Sequence, residues 1–253
     1  MQLPENLFKR ALLENRQQIG LWNTIGGNCV PEMLATAGFD WLLVDTEHAP
    51  VETIDIQTSL QSIAAFPNVS AVVRPAANDP ILIKRILDMG AQTLLLPYVQ
   101  SAQEARDAVS AMRYGPNGIR GMAGCTRATR YGSVENYFET AERELCLIVQ
   151  VETITAMQEI TEIATTPGVD GVFIGPADLS ASMGYPGQTS HPLVVEQIEK
   201  AITTLKELGV PSGILTLSKD EADHYMSCGT TFTAVGVDMV MLANAARALR
   251  AEF

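Results

Sequence analysis

Two apolar runs in this chain end in acids. One is Val149-Gln150-Val151-Glu152; the other is Phe173-Ile174-Gly175-Pro176-Ala177-Asp178. Each reads as a buried strand with a carboxylate at its C-terminal end. Parallel strands point their C-terminal ends the same way, so Glu152 and Asp178 are placed to share one divalent cation. Two carboxylates, water and a bidentate substrate form an oxygen site that suits Mg²⁺ or Mn²⁺, with Co²⁺ the next candidate. Gly175 and Pro176 leave room for close approach of a substrate. The competing reading makes each acid a cap for the helix that follows. One acid alone favours the cap; two on adjacent strand ends favour the metal.

A third apolar run, Trp41-Leu42-Leu43-Val44, leads into Asp45-Thr46-Glu47-His48. Of His48, His191 and His224, only His48 closely follows a strand end; the other two read as helix-flank residues. A neutral imidazole near pH 7 can take a proton. A carboxylate beside it would raise its basicity, and Asp88, which ends the helix after the third strand, is one candidate. Asp45 and Glu47 are alternatively available to orient metal-bound water. A hydrogen-bonded loop histidine competes evenly with the catalytic reading. Arg74 closes Val72-Val73-Arg74-Pro75 and is suited to a carboxylate or a developing enolate oxygen; a structural ion pair is its rival reading. Lys9, Lys84, Lys200, Lys206 and Lys219 all read as helical or helix-flanking. No strand-end lysine is left for a Schiff base, so carbonyl chemistry here would need a metal. Trp22, Pro97 and Leu215 also fall at strand ends, as pocket walls or as plain core.

Eight such apolar runs must position these residues: 19–23, 41–45, 69–74, 92–97, 145–151, 170–175, 211–215 and 232–237. They lack polar alternation, as expected of parallel strands buried on both faces. Helix signals lie between them. Asn78-Asp79-Pro80 and Ser190-His191-Pro192 put a cap before a proline, and Gly90, Gly209 and Gly229 sit where helices stop. Eight strand–helix units predict a single (β/α)8 TIM barrel over residues 1–253. A doubly wound sheet is the runner-up, weakened by the absence of G-x-G-x-x-G after the first strand. The Gly- and Arg-rich stretch from Tyr114 to Gly132 reads as a lid or a plain surface loop. The segment Met239–Ala246 is apolar nearly all round, so it should pack on another subunit or under the N-terminal segment Leu7–Leu13.

The totals narrow the partners. The chain has 253 residues, 47% hydrophobic and 18% charged, enough for a large core. A net charge of −12 argues against nucleic acid and anionic membrane, and leaves a small-molecule substrate. Cys29, Cys125, Cys146 and Cys228 form no C-x-x-C pair and read as free thiols in a reducing cytoplasm. Neither a signal peptide nor an apolar run of the ~18 residues that suggest a membrane span is visible.

With these residues in hand, the whole chain resembles the HpcH/HpaI aldolases, metal-dependent (class II) pyruvate aldolases. Gly20-Leu21-Trp22, Gly38-Phe39-Asp40-Trp41, Asp45-Thr46-Glu47-His48, Val73-Arg74-Pro75 and Gly118-Ile119-Arg120-Gly121 carry the likeness. So do Gln150-Val151-Glu152, Gly171 through Ser180, and Val235-Gly236-Val237-Asp238. The resemblance implies Glu152 and Asp178 as metal ligands, His48 as general base, Asp88 as the acid behind it, and Arg74 as enolate stabiliser. It adds Gln150 and, through its backbone, Ala177 as substrate-binding positions. It also implies a homohexamer of barrels with exchanged C-terminal helices. The expected reaction is reversible cleavage of a 4-hydroxy-2-oxo acid, such as 4-hydroxy-2-oxoheptanedioate, to pyruvate and an aldehyde. Another metal-enolate reaction, such as acyl-CoA lyase chemistry, or a keto-acid-binding barrel without catalysis, are the alternatives. Thr46 stands where many members have glycine and is placed to narrow the approach to His48. The stretch Met122–Arg127 also departs from well-known members. These two departures bear on the acceptor aldehyde; the pathway, aromatic or sugar-acid catabolism, stays open.

Overall fold

The computed structural model describes all 253 residues. Eight parallel strands close into a barrel in chain order: β1 (Gln18–Asn23), β2 (Trp41–Asp45), β3 (Ser70–Arg74), β4 (Thr93–Leu96), β5 (Cys146–Val151), β6 (Gly171–Ile174), β7 (Ser212–Leu215) and β8 (Phe232–Val237). Every apolar run of the sequence is a strand, and the open-sheet alternative is excluded by the β1–β8 pairing. The helices are α1 (Leu7–Leu13), α2 (Cys29–Ala35), α3 (Thr53–Ile63), α4 (Pro80–Asp88), α5 (Ala102–Met112), α6 (Tyr137–Glu144), α7 (Ile154–Gln158), α8 (Ile160–Ala164), α9 (Pro176–Ser182), α10 (Pro192–Glu207), α11 (Lys219–Cys228) and α12 (Asp238–Arg250). The predicted caps are in place: Asp79 accepts from the N–H groups of Ile81 (2.8 Å) and Leu82 (3.0 Å) ahead of Pro80.

Strand residues alternate between two cores. Outward side chains such as Leu42, Val44, Val73, Leu94 and Val149 pack under the helices. Inward side chains Trp22, Trp41, Leu43, Val72, Ile148, Phe173 and Phe232 fill the barrel. Helix α1 plugs the lower end, with Phe8 edge-on to Trp41 at 5.7 Å and Phe232 at 5.5 Å. So much aromatic volume fits because glycines face it. A Cβ on Gly20 would lie 2.1 Å from Trp41, and one on Gly213 2.1 Å from Phe232.

The same alternation sets the upper layer. Above the apolar residues, the next inward positions are Asp45, Arg74, Gln150 and Glu152. Register places Asp45 directly beside Arg74, and Gly175 N–H bonds to Val151 O beside Glu152. Helix α12 leaves this end of the barrel. Asp238 anchors it, accepting from Thr24 N (2.9 Å), Thr24 Oγ1 (2.7 Å), Met239 N (2.7 Å), Asn23 Nδ2 (2.7 Å) and Ile25 N (3.2 Å). Beyond Asp238 the helix buries no side chain within this chain. The N-terminal segment, one predicted cover for it, is instead the barrel plug.

Residues 113–136 join the end of α5 to α6, which leads into β5, so they lie at the lower end and do not form a lid over this chain's barrel mouth. Arg127 Nη1 ties the stretch to Met89 O (2.7 Å), and Arg120 ties it to Asp88.

Candidate active site at the barrel mouth

Arg74 is the centre of the mouth. Its Nε and Nη2 donate to the two oxygens of Asp45 at 2.8 and 2.6 Å, and Nη1 lies 2.9 Å from Glu47 Oε2. Its guanidinium carbon sits 5.3 Å from the centroid of Trp22, which rests in turn on Phe173. Asp45 therefore orients the arginine instead of a water, and the predicted structural ion pair exists. It does not exhaust the arginine. A guanidinium has five N–H groups, and two are hydrogen-bonded, both to Asp45, while Glu47 Oε2 sits beside Nη1 as an ion pair without a hydrogen bond, so N–H groups on both Nη atoms are left to meet an anion.

Glu152 lies across the mouth, 2% exposed. Oε1 accepts from Tyr98 N at 2.8 Å and Oε2 from Gln150 Nε2 at 2.5 Å. The following helix α7 is capped by Thr153, not Glu152, so the capping alternative fails for this acid. Tyr98 adopts φ +56°, a left-handed conformation unusual for tyrosine, which turns its N–H onto the carboxylate. Nothing in the sequence marks this donor beyond its place just past the fourth strand. Gly175 supplies the space. A Cβ there would lie 2.7 Å from Glu152 Oε2, 2.8 Å from Glu152 Cβ and 3.3 Å from Gln150 Nε2. Gly175→Ala is expected to displace the carboxylate, weakening activation by divalent metal about 10–100-fold. Turnover measured against Mg²⁺ concentration reads this directly.

Asp178 occupies the first turn of α9, exposed and without a cap bond. Burial pushes the Glu152 carboxyl up to about 7, against the pull of the Gln150 and Tyr98 donors, and the nearby charges of Glu47 and Asp178 add to the rise. Glu47 is raised as well, mainly by burial, with Arg74 and His48 opposing and Asp45 and Asp178 adding. Three acids thus crowd one mouth, and Asp178 takes no donor from the protein. The buried Oε1 of Gln150 has no partner either. This surplus of anionic and carbonyl oxygen fits a hard divalent cation held by Glu152 and Asp178.

The sequence profile of the HpcH/HpaI aldolase/citrate lyase family matches residues 18–245. This chain belongs to that family. It is 55% identical over 253 residues to a pyruvate aldolase of Rhizobium etli, covering 100% of this chain and 99% of that one. It is 51% identical over 250 residues to a 4-hydroxy-2-oxo-heptane-1,7-dioate aldolase of Shigella boydii, covering 98% and 95%. The crystal structure of an HpcH/HpaI aldolase/citrate lyase family protein from Burkholderia cenocepacia superposes with a TM-score of 0.94 at 38% identity, covering 98% of each chain.

The remaining residues expected of an HpcH/HpaI aldolase divide into two groups. His48 is at the mouth, its side chain 66% exposed, with Nε2 3.9 Å from Glu47 Oε2. Pro176 and Ala177 open α9 there, and Leu215 borders the inner core at the end of β7. Trp22, being buried, supports Arg74 rather than lining an open pocket. Thr46 donates its Oγ1 to Arg74 O at 2.7 Å, so its hydroxyl is tied to the neighbouring strand end. Asp88 is not in this group. It ends α4 at the opposite, lower end of the barrel, where it pairs with Arg120 Nη2 at 2.8 Å. Within one chain it cannot support His48.

Proposed function

We propose that this family member catalyses the reversible retro-aldol cleavage of a 4-hydroxy-2-oxo acid to pyruvate and an aldehyde, as a class II pyruvate aldolase. The pairing of an anionic pocket with a buried arginine that has N–H groups to spare carries the reading, and the names of the relatives agree with it. Glu152 and Asp178 hold a divalent ion, Mg²⁺ or Mn²⁺. When bound, that ion supplies Lewis acidity to the substrate's 2-oxo group. Arg74 directs its free N–H groups at the C2 oxygen and stabilises negative charge as it develops there. Gln150 orients the acid end of the substrate, beside Gly175, Pro176 and the Ala177 backbone. His48 takes the proton from the 4-hydroxyl as the C3–C4 bond breaks, and Glu47 holds the imidazole side of the mouth anionic. The electrons of that bond move onto the pyruvate enolate, which is then protonated at C3.

Incubation with pyruvate and Mg²⁺ in D₂O tests the enolate half alone. Loss of the methyl proton signal by NMR, dependent on metal and abolished by Asp178→Asn, is the expected result. Retained methyl signal with pyruvate bound would defeat the proposal.

The assigned role of Asp88 requires a second copy of the chain. The proposed assembly is a homohexamer of single-domain barrels in the cytoplasm, with α12 exchanged, which would also cover its apolar face. No helix is long and apolar enough to cross a membrane. Coexpressed His48→Ala and Asp88→Ala chains, each inactive alone, should then regain activity at about a quarter of the sites, because random pairing unites the two intact residues that often. No recovery in verified mixed oligomers would place Asp88 outside the site.

A further inference from the structure

The outer ring carries a cluster that the mouth chemistry does not use. His224 and Cys228 stand four residues apart on α11, so one turn stacks them on the same face. That face looks toward α10, where Glu199 meets it. His224 Nε2 lies 2.7 Å from Glu199 Oε1 and 4.0 Å from Cys228 Sγ. One donor atom from each of the three residues falls within 4.8 Å of the other two. In sequence His224 reads as a helix-flank residue and no zinc pattern is visible, because a glutamate 25 positions earlier in the chain supplies the third group.

We propose that Glu199, His224 and Cys228 form a second metal site, selective for Zn²⁺, that clamps α10 to α11 across β7. The donor set is the argument. Imidazole nitrogen, thiolate sulfur and carboxylate oxygen together suit a borderline-soft, tetrahedral ion and not the hard ion expected at the mouth. The dimensions agree as well. Zinc bonds of these three kinds at tetrahedral angles separate the donor atoms by about 3.3–3.6 Å. The present 2.7 and 4.0 Å bracket that range, so the carboxylate yields about 0.6 Å and the sulfur approaches by about 0.5 Å. Side-chain rotation alone supplies such shifts. His224 and Glu199 are 47% and 41% exposed, so an ion and its fourth ligand, water, reach the site from solvent. The buried neighbours Ala222 and Tyr225 hold the inner side of α11 against the barrel. The site is remote from the mouth. Helices here run antiparallel to the strands, so Cys228, at the C-terminal end of α11, lies toward the lower rim.

The test uses the full-length protein freed of metal by chelation, then titrated with Co²⁺. A sulfur-to-cobalt charge-transfer band in the near ultraviolet should saturate at one ion per chain and vanish on adding Zn²⁺. Cys228→Ser should abolish the band. His224→Gln and Glu199→Gln should each weaken binding at least tenfold, no less than the loss seen when a mere supporting residue is removed from a metal site. Asp178→Asn should leave the band intact, separating this site from the mouth. Cys228→Ser should keep its circular dichroism and its Mg²⁺-dependent activity, so that loss of the band is not loss of fold. Absence of the band, or a band that survives Cys228→Ser and disappears with Cys29→Ser or Cys125→Ser, would overturn the proposal; the last two are the exposed thiols.

Discussion

Arg74→Lys should fold and yet turn over about 10²–10³-fold more slowly, the usual consequence of losing one preorganised oxyanion partner. The geometry explains why lysine is no substitute. Asp45 grips two edges of a planar fork, and that grip aims the remaining N–H groups at the mouth. An ammonium keeps the charge beside Asp45 but has no second, oriented edge to offer. Arg74→Ala is a harsher change than a loss of catalysis. Asp45 is 1% exposed, and stripping its partner leaves a buried, unpaired carboxylate, which typically costs about 3–5 kcal/mol. The alanine variant therefore confounds stability with turnover. The lysine variant, assayed by coupled pyruvate release alongside a thermal melt, separates them. Near-native turnover in a folded Arg74→Lys enzyme would remove Arg74 from the chemistry.

The second large effect belongs to Glu152, whose replacement by glutamine should abolish metal-dependent activity and stabilise the metal-free protein at neutral pH. Its folded-state pKa, about 7, stands above the ordinary value of 4.5. A raised carboxyl favours the fold while protonated. Its contribution is complete below the unfolded value and is lost as pH rises through about 7. The metal-free enzyme should thus lose on the order of 3 kcal/mol between pH 4.5 and just above 7 from this group alone. Glutamine removes that dependence. It also gives the stranded Gln150 Oε1 a donor once the Gln150 amide turns over. Denaturant unfolding across this pH range, wild type against Glu152→Gln, reads the difference; the other carboxyls raised by burial, Glu47 and Asp170, contribute to any residual slope. The same proton competes with the metal, so affinity for Mn²⁺ should fall about tenfold per pH unit below 7 and level off above it. A flat Mn²⁺ affinity from pH 5.5 to 8 would contradict the assignment of Glu152 as ligand.

These two residues also show what a linear reading can reach. Glu152 and Arg74 were visible because each ends an unbroken apolar run, and in a parallel barrel a run's end is the mouth. Asp88 is placed apart from His48 within one chain for the matching reason. It ends a helix, and in this fold helix ends and strand ends face opposite rims. Glu47 reads in sequence as an orienter of metal-bound water, and the fold sets it between Arg74 and His48. Tyr98 was invisible, since its part is played by a backbone N–H in a left-handed conformation that no side chain announces. The zinc-type cluster escaped for a related reason: two of its members share a helix, but the third arrives from a neighbouring one.

The order of the strands and the rim that bears chemistry were determined by local pattern, because burial on both faces forces continuous apolar strands and connects them in one hand; closure into a barrel was decided by the β1–β8 pairing. Tertiary structure alone decided which polar groups meet. Register set Asp45 against Arg74 and Gly175 against Glu152. Packing around a barrel filled with tryptophan and phenylalanine then decided how far each charge is stripped of water. A carboxylate's proton affinity depends on that surrounding volume, which no neighbour in the sequence encodes.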